Sequence, residues 1–426
     1  MWEEYKAIEP RIIRPLNGNE IFGTEFYLNI VDVFPKFSTE EFKKRAQENL
    51  PKIEVFNHAI KRIKGHPFWI HKPFEIHIKE IPYSEDEEIE NFLKKDEEWI
   101  IPYDPVYDEE NNDVQLLFNF KICQLEKTNQ TKLTFGAAHV ICDGRTIFDL
   151  YDLIRKVIQG ETLEKDDGTL VSFDERECFQ NTDESFYKPP KVWDEVDELH
   201  ITPKIDDIPY KYITRHYIYD YAPISKFNRA NGVTVQAMLM AILTRATRRY
   251  KNLPKERPIW CGVPVDTRFS SFATKEFKNR KYYRNNSAIY PKVIGQDTLM
   301  KDIQHCVEKL QEAKKTNDDI RQILCSSTTI DPKTFQLVPN GRIPNFHTQA
   351  TVNGSNIGKV NGNNPIFYIS NGILVPGMYL FFYHSYHTDD KLYISALSPI
   401  NFDKTYINYI KEEMDKVFIP ENIPKY

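Results

Sequence analysis

The chain has no Cys-x-x-Cys pair, no apolar run long enough for a membrane helix and no excess of positive charge, and each absence removes a class of function. Its six cysteines stand apart at 123, 142, 178, 261, 306 and 325. That spacing supports neither a disulfide framework nor a zinc site, and a reducing compartment is expected. The longest apolar stretch, Ala237 to Leu243, falls far short of the roughly 20 residues a spanning helix needs. The opening residues Met1-Trp2-Glu3-Glu4-Tyr5-Lys6 are acidic and lead into no apolar segment, which argues against a signal peptide. A net charge of −6 and an isoelectric point near 6.1 show no global basic field, so neither nucleic acid nor an anionic membrane is suggested as a partner. A local basic patch for a phosphate is compatible with that balance. Together these readings predict a cytoplasmic protein with no transmembrane segment. The aromatic share of 13% is mostly Phe and Tyr, which in strands mainly fill cores.

What is present centres on Ala137-Ala138-His139-Val140-Ile141-Cys142-Asp143-Gly144-Arg145-Thr146. Upstream, Leu116, Phe118, Phe120 and Ile122 alternate with Gln115, Asn119 and Lys121, and a polar turn leads into Leu133-Thr134-Phe135-Gly136, a hairpin whose second arm ends at His139. Downstream, Ile147, Leu150, Leu153, Ile154, Val157 and Ile158 repeat at helical spacing until Gly160. A histidine and an aspartate four residues apart thus stand at a strand-to-helix turn, where a general base could act. The alternative is a strand-end histidine beside an ordinary Asp-Gly turn.

Further segments carry a family pattern in order. Gly232-Val233-Thr234-Val235-Gln236-Ala237-Met238-Leu239, Gly262-Val263-Pro264-Val265-Asp266-Thr267-Arg268, Asn285-Asn286-Ser287, Ser355-Asn356-Ile357-Gly358 and the stretch Leu380 to Ser398 follow the His-x-x-x-Asp-Gly motif. Taken together, the chain resembles the superfamily of CoA-dependent acyltransferases that groups chloramphenicol acetyltransferase, plant BAHD acyltransferases, alcohol acetyltransferases and the condensation domains of peptide synthetases. It departs in two places. Ala138 stands where condensation domains and wax-ester synthases usually carry a second histidine, and the Asp-Phe-Gly-Trp-Gly signature of the plant enzymes is absent.

The resemblance implies an α/β (α+β) fold of two chloramphenicol-acetyltransferase-like lobes, each a mostly β sheet with packed helices, meeting at a tunnel. It implies transfer of an acyl group from an acyl-CoA co-substrate to the hydroxyl or amine of a small acceptor, with His139 as general base, direct attack through a tetrahedral intermediate, and no metal or other cofactor. Asp143 is then a structural partner of an arginine, Arg268 first and Arg14 as the alternative, while Ser355 and Asn356 lie on the tunnel wall as candidate oxyanion donors. For these two a Ser-Asn turn in a Gly-rich loop is the other reading. Gly144 is expected to permit the turn's backbone geometry. A chain carrying both lobes implies a monomer. Two other functions share these residues: a condensation-type enzyme fed by a carrier protein, and a catalytically silent protein that binds acyl groups or partners.

The 426 residues suit two units: an N-terminal lobe over 1–170, a crossover linker over 171–209, rich in acids and prolines and expected across the surface, and a C-terminal lobe over 210–426. Ser38-Thr39-Glu40-Glu41 predicts a helix start, Pro51 an interruption, and a second helical stretch runs to Lys64, stopped by Gly65-His66-Pro67. Strands are expected over Glu25–Val33, from Tyr210 and over Trp260–Val265; helices over Ile224–Tyr250 with a break at Asn231-Gly232, over Thr298–Lys314 and from Asp403. Asn353 to Asn364 reads as loop. Gly354 to Lys359 is one residue short of a phosphate loop and has Val360 in the Ser/Thr position. His384 and His387 fall on opposite faces of an alternating strand, so they do not share an ion. No Gly-x-Ser-x-Gly elbow occurs, which leaves a serine acyl-enzyme unsupported.

Overall fold

A computed structural model describes residues 3–24, 26–82, 107–108, 113–166, 175–191, 212–279, 282, 284, 287–331, 334, 336, 338, 351–362, 365–371, 382–399 and 403–419. The N-terminal half contributes β1 (Ile12–Pro15), β2 (Phe26–Pro35), β3 (His58–Ile63), β4 (His66–His71), β5 (Ile78–Glu80), β6 (Val114–Gln115), β7 (Phe118–Leu125) and β8 (Gln130–Ala138). The C-terminal half contributes β9 (Tyr212–Asp220), β10 (Ile259–Pro264), β11 (Ala288–Ile289), β12 (Lys292–Val293), β13 (Val352–Lys359), β14 (Ile366–Asn371), β15 (Phe382–His387) and β16 (Lys391–Pro399).

Among the described residues these strands form three sheets, ordered β1-β4-β3-β6, β14-β2-β8-β7-β5 and β11-β10-β13-β15-β16-β9, with β12 also paired to β10. The second and third are the floors of two separate apolar cores. One gathers Phe118, Phe120, Phe135, Ile147, Leu150 and Ile154 between the β8 sheet and the helix Thr146–Ile158. The other packs Met238, Leu239, Ile242, Ile394, Tyr406 and Ile410 between the β15–β16 hairpin and the helices Val235–Lys251 and Lys404–Phe418.

The chain stitches these bodies together. β14 leaves the C-terminal half and pairs antiparallel with β2, Ile366 opposite Val31 through Asn371 opposite Phe26. Residues 366–371, which the sequence assigns to the C-terminal lobe, therefore lie in the N-terminal sheet. The described part of the crossover is not merely draped outside, because Cys178, Phe179 and Phe186 are buried in the N-terminal core.

Where capping chemistry was explicit the helices start as read. Ser38 accepts from the Glu41 amide at 3.2 Å, Thr234 from Ala237 at 3.2 Å and Asp403 from Thr405 at 2.8 Å. Gly232, at φ 63°, ends the preceding helix.

Two expectations fail. In place of a second helix up to Lys64 the chain makes short 3-10 turns, Leu50–Lys52 and Glu54–Asn57, and then the β3–β4 hairpin. Lys64 and Gly65 both have left-handed φ, 51° and 81°, which is the two-residue turn whose twist suits a hairpin. The Asn/Gly-rich stretch after Val352 is not a loop but β13, flanked by parallel partners β10 and β15. Hydrogen bonds on both edges outweigh the poor strand propensity of Asn and Gly, and the misfit is absorbed by a bulge between Asn356 and Gly358, where Gly358 takes φ 88°.

Candidate active site

β8 is held between β2 and β7, with Ala138 opposite Tyr27 and Ala137 opposite Phe118. The strand ends in a tight turn closed by the Ile141 amide on the Ala138 carbonyl at 3.0 Å. His139 is the first residue of that turn and is half-buried. Burial pushes its imidazole below the ordinary histidine range, and the charge of Arg284 pushes it the same way, against opposite pulls from backbone hydrogen bonding at His139 and, more weakly, from Asp143. The ring is therefore neutral at neutral pH, the form in which imidazole accepts a proton.

Asp143 supplies the side-chain cap of the following helix. Its Oδ1 accepts from the amides of Arg145 and Thr146 at 2.8 and 2.7 Å, and its carbonyl accepts the Ile147 amide at 3.0 Å. Its Oδ2 lies 3.8 Å from Nη2 of Arg268. Arg268 is clamped in turn by Asp266, which accepts from Nε and Nη2 at 2.8 Å each. Burial works against the Arg268 charge, but Asp143 and Asp266 outweigh it and hold the guanidinium firmly protonated. Arg14, the other candidate partner, is instead paired with Glu20 at 2.7 and 2.8 Å.

Gly144 has no left-handed φ, so its smallness serves a close approach instead of the turn's backbone geometry. A Cβ there would lie 3.3 Å from Cδ1 of Ile357 on β13. Ser355 and Asn356 lie just before Ile357 and line, with Asp143, Gly144, Arg145, Asp149, Asp266, Arg268 and Lys278, a cleft of about 540 Å³. Asn356 Oδ1 is taken by the Gly358 amide and the Ser385 hydroxyl, both at 3.2 Å. Ser355 lies in register with His384 of β15. The cleft carries three cationic and three anionic side chains. One of the latter, Asp149, is pushed up to about 6 by burial, against the pull of its partner Arg145.

Behind the motif lies a buried charge cluster that sequence reasoning did not find. Arg284 donates to Glu175 at 2.9 Å and to the Asn19 carbonyl at 3.1 Å, and Asn19 and Asn17 donate to the same carboxylate at 2.9 and 3.2 Å. Burial raises the Glu175 carboxyl, against the pull of Arg284. Gly23 lies close to both the cluster and the motif, since a Cβ there would meet the Val140 backbone at 2.9 Å and Nη1 of Arg284 at 3.1 Å, and the Arg284 charge is felt at His139. One guanidinium thus ties the N-terminal half, the crossover and the C-terminal half together beside the candidate base. The segment Asn285-Asn286-Ser287 follows it, but Asn285 and Asn286 lie outside the described residues.

The arrangement combines a neutral, half-buried imidazole on a rigid mounting with a cleft in the range that holds small ligands, which Asp143 and Gly144 of the motif line and His139 itself does not. No protein-family model matches the chain, and no curated protein sequence does. Solved structures do match. Polyketide synthase associated protein 5 from Mycobacterium tuberculosis superposes with a TM-score of 0.63 at 15% identity, over 97% of this chain and 99% of that one. The epimerization domain from the third module of tyrocidine synthetase B gives 0.60 at 11% over 95% and 94%, and the first condensation domain of the calcium-dependent antibiotic synthetase, solved with a substrate analogue, 0.62 at 10% over 96% and 94%. At these identities the likeness defines the fold: this chain has the two-lobed α/β architecture of condensation domains. No helix among the described residues is long and apolar enough to cross a membrane.

Proposed function

We propose that the protein transfers an acyl group from a thioester donor to the hydroxyl or amine of a small acceptor, with His139 as the general base. The observation that carries this reading is the neutral His139 imidazole on a turn locked by Asp143 and Arg268, the same turn whose Asp143 and Gly144 line the cleft with Ser355.

The step balances without another reactant. His139 takes the acceptor's proton as its oxygen or nitrogen attacks the thioester carbonyl, and the tetrahedral intermediate then collapses to ester or amide. The carbon–sulfur bond breaks, and the departing thiolate takes the proton back from the imidazolium. Negative charge on the intermediate's oxygen needs a preorganised donor, and Ser355, on the cleft wall, is the candidate. Asp143, Gly144 and Arg268 act by shape and charge, not by proton transfer. Acyl-CoA is the proposed donor. The likeness to domains of peptide synthetases and to a polyketide synthase associated protein supports a second donor form, the same thioester presented on a carrier protein.

The test is thiol release from acyl-CoA and carrier-bound acyl thioesters with mixed alcohols and amines, in wild type and His139→Ala, both shown to be folded. Turnover with either donor that disappears with the histidine supports the reading and names the donor. Saturable donor binding with no turnover in either protein contradicts it and favours a silent acyl-binding protein.

A further inference from the structure

Two side chains on the wall of the cleft have no part in proton transfer and none in the core. The first is Phe269, which is 87% exposed, more than any other large apolar side chain among the described residues. Its neighbours in sequence are not left out in this way. Ala273 and Phe277 are buried in the N-terminal core, and Phe272 packs against it. The rings of Phe272 and Phe277 lie 5.0 and 5.5 Å from those of Phe186 and Phe179. Of these three phenylalanines only Phe269 is given to water and to the cleft.

The backbone that carries it is fixed. Phe269 closes the 3-10 turn Thr267–Phe269, which Asp266 caps by accepting the Arg268 amide at 3.0 Å. The Arg268 side chain is held in turn by Asp266 and Asp143. An aromatic ring on a fixed mount gives up little freedom when a flat partner stacks on it.

The second side chain is Lys278. Of the three cations on the wall, Arg145 is paired with Asp149, and Arg268 with Asp143 and Asp266. Lys278 is exposed and has no counter-charge among the described residues. It stands on the short helix Lys275–Asn279, which packs against the Thr267–Phe269 turn. The sequence there carries Lys275, Lys278, Arg280 and Lys281 against the single acid Glu276. An unmatched cation and an exposed ring thus line one concavity of about 540 Å³, the size of a small-ligand site and not of a protein interface. The ring offers a stacking face and the ammonium a partner for an anion, which together suit a ligand end that has both a planar ring and a phosphate.

We propose that Phe269 and Lys278 form the subsite for the nucleotide end of the donor, with Phe269 stacked on the base and Lys278 paired with a phosphate. Of the two donor forms, only the CoA thioester ends in a base with phosphates; on a carrier the same thioester arm ends on protein. The proposal rests on the acyl-transfer reading and adds to it the residues that select free CoA over a carrier.

Calorimetric titration of the full chain tests it without any turnover. The probe is adenosine 3′,5′-bisphosphate, and the comparison is 4′-phosphopantetheine, which has the phosphate but no ring. Both side chains are exposed, so Phe269→Ala and Lys278→Gln leave the cores intact. The bisphosphate should bind wild type, Phe269→Ala should weaken it by about tenfold, and Phe269→Trp should keep it. Lys278→Gln should weaken it by a few fold and flatten its salt dependence. 4′-Phosphopantetheine should bind about tenfold more weakly than the bisphosphate and should not respond to Phe269→Ala. No saturable binding of the bisphosphate, or binding that either Phe269→Ala or Lys278→Gln leaves unchanged, overturns the proposal. If the bisphosphate binds as expected but no thioester turns over, the subsite stands and the acyl-transfer reading falls. If a carrier-bound donor turns over and the bisphosphate does not bind, the acyl-transfer reading stands and the subsite falls.

Discussion

Asp143 and Arg268 meet across 125 residues of chain, Oδ2 to Nη2 at 3.8 Å, while the other carboxylate oxygen caps the helix that begins at Thr146. One side chain thus fixes both the direction of the motif helix and its contact with the C-terminal half. Asp143→Asn keeps an oxygen for the cap and loses only charge. Asp143→Ala loses both, although Asp266 still neutralises Arg268. The alanine variant should therefore be less stable than wild type by about 1–3 kcal/mol, and the asparagine variant by distinctly less. Denaturant midpoints at constant slope measure the difference; equal losses would mean that the cap contributes nothing.

The pH dependence of the reaction follows from the groups around His139. Burial and Arg284 lower its pKa, backbone hydrogen bonding and Asp143 raise it, and His384 adds no charge because it is neutral. The acid limb of kcat/KM should lie below the ordinary imidazole value of about 6.5. Removing the Arg284 charge removes a force that deprotonates the ring, so the limb should move to higher pH. Arg284→Gln combined with Glu175→Gln makes the test fair, since it leaves no uncompensated buried charge in that pair. A limb that stays in place in the folded double variant would assign Arg284 a purely structural role.

Asp149 gives the cleft a second titration. Its carboxyl is pushed up to about 6, so above that pH the three cations of the wall face three carboxylates, and below it only two. Affinity for an anionic donor should rise as the pH falls through about 6, by way of Asp149 protonation. In Asp149→Asn the affinity should be higher at pH 8 and should lose that part of its pH dependence. Calorimetric titration of donor into both proteins at several pH values checks this.

Gly144 and Ile357 should behave as a coupled pair. A Cβ at 144 falls 3.3 Å from Cδ1 and 3.4 Å from Cγ1 of Ile357, which asks the neighbour to give by a few tenths of an ångström. Gly144→Ala should cost stability and donor affinity, and Ile357→Val, which removes the crowding Cδ1, should restore part of the loss. Additive losses in the double variant would show that the two sites do not interact.

The motif and its mounting were legible because they are local. The alternation of β7 and β8, the helical spacing after Asp143 and the stop at Gly160 lie within one stretch of sequence. β13 was hidden because its strand character comes from two parallel neighbours and not from its own Asn- and Gly-rich residues. β3 was hidden because Gly65-His66-Pro67 reads as a helix stop, whereas the left-handed pair Lys64-Gly65 closes a hairpin. The Arg284–Glu175 pair joins residues 109 apart, and no local pattern announces a buried ion pair. His384 could be set aside as a metal ligand from its spacing to His387, but its approach to His139 depends on the register of the whole C-terminal sheet.

Thiol release from acyl-CoA and carrier-bound donors with a panel of small alcohols and amines, in wild type and folded His139→Ala, tests the proposed acyl transfer most directly. If His139 is the base, wild type turns over and the rate falls by about 10²–10⁴-fold without the imidazole. Equal turnover in the two proteins, or donor binding without turnover in both, would contradict it.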